Sequence, residues 1–136
     1  MIMAITKFIA NNTGFVVGTT IMAEFRPMDA ADRVQLVTGG GGSLVPELTD
    51  RADLLIQVTS RSDKEPDGSI WDAKDDADLI FAFLHGSSGW DLPEVVAGKT
   101  WRAMVITGVA PPQYLGIDKE GRHEYSTNYM FKIRAR

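Results

Sequence analysis

A chain of 136 residues with 44% apolar and 24% charged side chains falls in the range of one globular domain, large enough to bury roughly two thirds of its unfolded surface. The absence of cysteine excludes disulfides and thiolate metal sites, so stability has to come from packing or association. A formal charge of −4, with basic residues scattered apart from the run Lys132, Arg134, Arg136, argues against a nucleic-acid backbone as the main ligand, and no apolar run reaches the length of a membrane span or signal core.

Ile2, Ile5, Phe8 and Ile9 recur at three- and four-residue spacing and predict an amphipathic helix that stops near Asn11, Asn12 and Gly14. Phe15 to Arg26 is rich in β-branched and apolar residues and is halted by Pro27, so it reads as a strand, with Gly18 at a bulge or early bend. Arg33 to Thr38 reads as a second, short strand. Gly39 to Gly42 is expected to hold no regular structure, and Leu44 to Asp50 to form a polar connection through Pro46. Asp53 to Ser60 is the next strand.

Asp67-Gly68-Ser69 supplies cap chemistry for a helix whose stripe is Ile70, Ala73, Ala77, Ile80, Phe81 and Leu84, ended by Gly86. Ser87 to Lys99 reads as a loop carrying Trp90, Leu92 and Pro93, and Thr100 to Thr107 as a strand. After the turn residues Pro111-Pro112 and a Gly-containing hairpin tip comes the strand Glu124 to Arg134. It sets Tyr125, Thr127, Tyr129, Phe131 and Ile133 on one face and Glu124, Ser126, Asn128, Lys132 and Arg134 on the other. The order of helix, three strands, helix, two strands predicts a single α+β domain over residues 1–136. Its mostly antiparallel sheet of about four to five strands packs against two helices.

No constellation of reaction chemistry emerges. His85 and His123 lie at a helix end and a hairpin tip without a second ligand at a recognised spacing, and His85 is expected to interact with the helix C-terminus. Asp72, Asp75 and Asp76 fall at i, i+3 and i+4, with Asp78 beside them, and read as a solvated helix face. The four glycines lack the Lys-Ser/Thr of a phosphate loop, and no serine sits in a Gly-x-Ser-x-Gly elbow. Trp71, Trp90 and Trp101 read as core or interface aromatics. Neither a cofactor nor a metal site is expected.

Several short motifs occur in a particular order: Gly18-Thr19-Thr20, Arg26-Pro27-Met28-Asp29, Val37-Thr38-Gly39-Gly40, Leu55 to Arg61, Leu84-His85-Gly86, and Tyr114-Leu115-Gly116 through Asn128-Tyr129. In this arrangement the chain resembles the tail terminator (tail completion, or minor capsid) proteins of long-tailed bacteriophages. The last segment carries most of the resemblance. The four-glycine loop and the Asp-rich helix start depart from the pattern and bear on partners more than on fold.

The resemblance implies a non-enzymatic virion part at the head–tail junction, assembled in the host cytoplasm. As a homo-oligomer, commonly a hexameric ring, it would cap the major tail tube protein, stop polymerisation and present a surface to the head connector, with DNA only passing through. Such a ring needs a heterologous interface whose rotation closes. The expected contact residues are Trp90, Asp91 and Leu92; Gly40, Gly41 and Leu44; and Leu115, Asp118, Lys119 and Arg122. The alternatives are a head-completion or connector protein, a small hydrolase using Asp75 or His123, and a monomeric module that extends its sheet along an edge.

Overall fold

The computed structural model describes residues 1–44, with the backbone alone for 40–44, together with 51–66, 68–98 and 100–136. The first helix, α1 (Ile2–Thr13), buries Ile5, Phe8 and Ile9 and ends at Gly14, whose left-handed φ of 85° lets its amide return to the Ala10 carbonyl. The second, α2 (Ile70–Leu84), begins at Ser69. There the Asp72 carboxylate accepts the Ser69 amide at 3.1 Å, which satisfies a donor the helix itself cannot. Asp67, expected to share in that cap, lies outside the described residues.

Among the described residues seven strands form one sheet: β1 (Ile21–Ala23), β2 (Val34–Leu44), β3 (Arg51–Arg61), β4 (Ser88–Asp91), β5 (Trp101–Gly108), β6 (Gln113–Ile117) and β7 (His123–Ala135). The order is β1-β2-β3-β7-β5-β4, with β6 also pairing β7. All pairings are antiparallel except β1 with β2. Strand β7 organises the sheet. It pairs along its length with β3 on one side and is shared on the other by β5, from Tyr129 onward, and β6, up to Ser126. Its alternation turns Tyr125, Thr127, Tyr129, Phe131 and Ile133 into the core beneath the helices.

The α+β class is therefore as expected, whereas the strand count is higher and four strands, not two, follow α2. The additions, β4 and β6, are short and carry glycine, so neither shows an alternating pattern of its own; the long neighbours β5 and β7 draw them into register. The segment Ser87 to Lys99, expected as a loop throughout, accordingly contains β4.

Two other expectations are corrected. Of Phe15 to Arg26, only Ile21–Ala23 is strand. The Val16 carbonyl accepts the amides of Thr19, Thr20 and Ile21, and the Thr20 hydroxyl accepts the Val16 amide at 2.7 Å. Local turn bonds thus replace a ladder there. Conversely, β2 runs through Gly39 to Gly42, pairing Gly39 with Ile56 and, after a register shift, Gly42 with Leu54. The β3 ladder overrides the weak strand preference of glycine, and Gly39 has a packing reason: a Cβ there would sit 3.3 Å from Ile2 Cδ1 in α1.

The acidic face of α2 is also not uniformly solvated. Asp76 is 6% exposed and accepts Arg33 Nε and Nη2, each at 2.9 Å, and Gln35 Nε2 at 2.9 Å. The carboxylate flanks the apolar stripe, and β2 supplies its partners.

Candidate functional site

One group of exposed apolar residues lies at the β5–β6 side of the sheet. One edge of β6 pairs with β7, and among the described residues no strand pairs with the other. Tyr114 pairs with Tyr125 and Gly116 with Glu124, so Leu115 is the extra residue of a bulge, and Gly116 takes the φ of 122° that the bulge requires. Leu115 is left 58% exposed and Ile117 51%, beside Val109 at 62%. A free, apolar strand edge is a template for another chain, which monomeric proteins ordinarily blunt with charge or cover.

That edge is held in place by its own hairpin. Asp118 Oδ1 accepts the amides of Glu120 and Arg122 at 2.9 and 3.0 Å, and Oδ2 accepts Arg122 Nε at 2.7 Å. Arg122 also reaches Asp32 at 3.2 Å, which ties the tip to the β1–β2 connection. Farther along β6, the Tyr114 hydroxyl lies 2.8 Å from His123 Nδ1, and Glu65 lies 2.8 Å from Nε2. Both nitrogens of the histidine considered for catalysis are therefore taken up in securing the hairpin to the Glu65 turn. Asp118 and Arg122, expected as contacts, act within the subunit, whereas Leu115 and Lys119 are outward and exposed.

Partial burial pushes the Asp118 carboxyl up, but the bonds from Arg122 and Glu120 outweigh it and hold the group below the usual carboxylate range. A lowered folded value means that the turn's stabilisation is fully present above the ordinary aspartate pKa of about 3.9 and is lost as pH falls through the lowered value. The protection factors of the Glu120 and Arg122 amides, exchange relative to the intrinsic rate at each pH, should therefore fall on acidification below that pH, ahead of global unfolding. Equal protection down to the unfolding transition would show that the carboxylate does not hold the turn.

The other expected contacts are dispersed. Trp90 is 42% exposed, with one side packed on Phe8 and Phe83 at centroid distances of 5.7 and 6.0 Å. Asp91 accepts Arg102 at 3.1 Å and also contacts Arg136. Leu92, expected on the outside, is 3% exposed and belongs to the core. Gly40, Gly41 and Leu44 lie in β2, where the backbone alone is described.

His85 caps the C-terminus of α2. Its ring stacks on Phe81 at 4.9 Å, and Nδ1 accepts the Gly108 amide at 3.0 Å. Among the described residues no group of three or more acidic or histidine side chains is placed to hold a metal, and no helix is long and apolar enough to cross a membrane. A shallow apolar recess of about 270 Å³ lies between the start of α1 and Pro93, Val95, Val96 and Trp101. Reasoning from sequence missed the β6 edge because its five residues, Gln-Tyr-Leu-Gly-Ile, carry no strand alternation; the one available signal was three large apolar residues next to a turn.

This arrangement of helices and sheet has a solved counterpart. It is a chain of the virion of a native gene transfer agent particle, with a TM-score of 0.56 over 93% of this chain and 84% of that one, at 14% sequence identity. Likeness at that identity shows a common fold. No protein-family model matches the sequence, and no curated protein matches it.

Proposed function

We propose that this protein is a structural virion component that caps a phage tail tube as a ring, ends tail polymerisation and forms the joint to the head connector. The work is stoichiometric and mechanical, with no reaction to catalyse. The observation that carries the reading is the fold shared along nearly the whole chain with a chain of a virion. The β6 edge supports it, because an uncovered strand flanked by Val109, Leu115 and Ile117 suits a surface completed by another subunit.

Light scattering coupled to size exclusion across a concentration series, with negative-stain imaging, tests the reading. The expected result is a closed ring, commonly of six chains, formed alone or on added tail tubes. A strict monomer under both conditions would overturn it. Leu115→Lys combined with Ile117→Lys should abolish ring formation while leaving unfolding within about 0.5 kcal/mol of the parent, because both side chains already face solvent. Rings that persist in this variant would exclude the edge as a contact.

A further inference from the structure

The acidic chain folds so as to bring three of its eight arginines together. Register places Arg51 of β3 opposite Arg134 of β7, and Arg134 opposite Arg102 of β5, so that the three form one row across adjacent strands. The row lies on the sheet face opposite the helices, since the alternate residues Ile133, Ala52 and Ala103 face the core. Lys132 stands two residues along β7 on the same face, opposite Asp53. With strands about 4.8 Å apart, the row spans about 10 Å.

Like charges directly opposite one another in a sheet are destabilising. Among the described residues Asp91 relieves only one end of the row, through Arg102 and Arg136, whereas Arg51, Lys132 and Arg134 are exposed and form no ion pair. Among the described residues Asp53, opposite Lys132, and Asp91 offset only part of this charge, and an anionic partner would offset the rest.

The complementary surface is on the same molecule. Along the outer face of α2, Trp71, Asp75 and Leu79 fall at i, i+4 and i+8. Trp71 is 65% and Leu79 48% exposed, and Asp75 is exposed and in no ion pair among the described residues, whereas the neighbouring Asp78 is held by Lys74 at 2.6 Å. A carboxylate between an indole and an aliphatic side chain is what a guanidinium row recognises, by charge-assisted hydrogen bonds and by stacking on the indole. The stripe and the row lie on opposite faces of the subunit, so they cannot meet each other in an isologous two-fold contact. They can form a heterologous one.

We infer that the Arg51–Arg134–Arg102 row of one copy receives the Trp71–Asp75–Leu79 stripe of the next copy, as a contact repeated around the ring in addition to that of the β6 edge; this rests on the ring-forming reading above. Each subunit then uses its basic face toward one neighbour and its acidic helix toward the other, which a closing head-to-tail assembly requires.

Two charge reversals test it, Arg134→Glu and Asp75→Arg, both at exposed positions, with circular dichroism and thermal melting to verify that each variant folds. Each alone sets like charges against each other at every contact and should raise the concentration needed for assembly by about tenfold or more. Mixed in equal amounts, the two can alternate around the ring. The Asp75 kept by one variant then meets the Arg134 kept by the other, the two introduced charges, also opposite in sign, meet at the next contact, and assembly should return to the parent concentration range. Variants that assemble alone like the parent, or a folded mixture that fails to assemble, would overturn the contact while leaving the ring in place. A parent protein that stays monomeric even on tail tubes would instead overturn the ring and this contact with it.

Discussion

Phe131→Ala should destabilise the folded chain by about 4 kcal/mol, the largest loss expected of a single truncation in β7. Phe131 is fully buried in the middle of that strand, in register with Leu54 of β3 on one side and Ile106 of β5 on the other. Its ring belongs to the cluster that also holds Ile5 and Ile9 of α1 and Ile80 and Leu84 of α2. Truncation removes apolar area and leaves a cavity that a ladder paired on both sides has little freedom to close. Domains of this size are stable by about 5–15 kcal/mol, so the variant should melt on the order of 10 °C lower. Urea unfolding is the measurement, with the midpoint falling and the slope unchanged. A loss below about 1 kcal/mol would mean that the side chain does not fill the core as described.

The second large effect is expected at Asp76. Asp76→Ala should cost about 2–4 kcal/mol. Most of this comes from Gln35, which is 1% exposed, has Asp76 as the acceptor of its side-chain N–H and, among the described residues, already has no partner for its Oε1. Arg33 contributes less, because its side chain is 42% exposed and can turn to water when the carboxylate is removed. Replacing both buried groups, Gln35→Leu with Asp76→Leu, should recover part of the loss, since no polar atom is then left stranded. Asp78→Ala, which breaks only the exposed pair with Lys74, serves as the comparison and should change stability by less than about 0.5 kcal/mol. If Asp76→Ala were equally mild, the buried network would not be holding α2 on β2.

Asp76 also shows where reading the sequence stops. Within α2 the acidic residues share a spacing that marks a solvated face, and for Asp75 that description holds. What separates Asp76 from Asp75 is a neighbour more than forty residues away in the chain, Arg33 with Gln35, and no helical spacing can register a partner on another element. The glycines of β2 make the same point for the backbone. Their intrinsic preference argues against a strand, and the hydrogen bonds of β3 override it.

By itself the sequence determined the elements whose own residues carry a strong period: α1, α2 and β7, together with the α+β class and the buried face of the last strand. Those elements are legible because burial on one side imposes a repeat on neighbouring residues, and a repeat is a local signal. Only the tertiary structure decided the remainder: that β4 and β6 are strands, that β6 has an apolar edge which no strand pairs among the described residues, and that Arg51, Arg102 and Arg134, far apart in the chain, stand in one row. Each of these depends on which strand lies beside which and in what register. Pairing is a relation between distant segments, so it leaves no pattern in either segment alone.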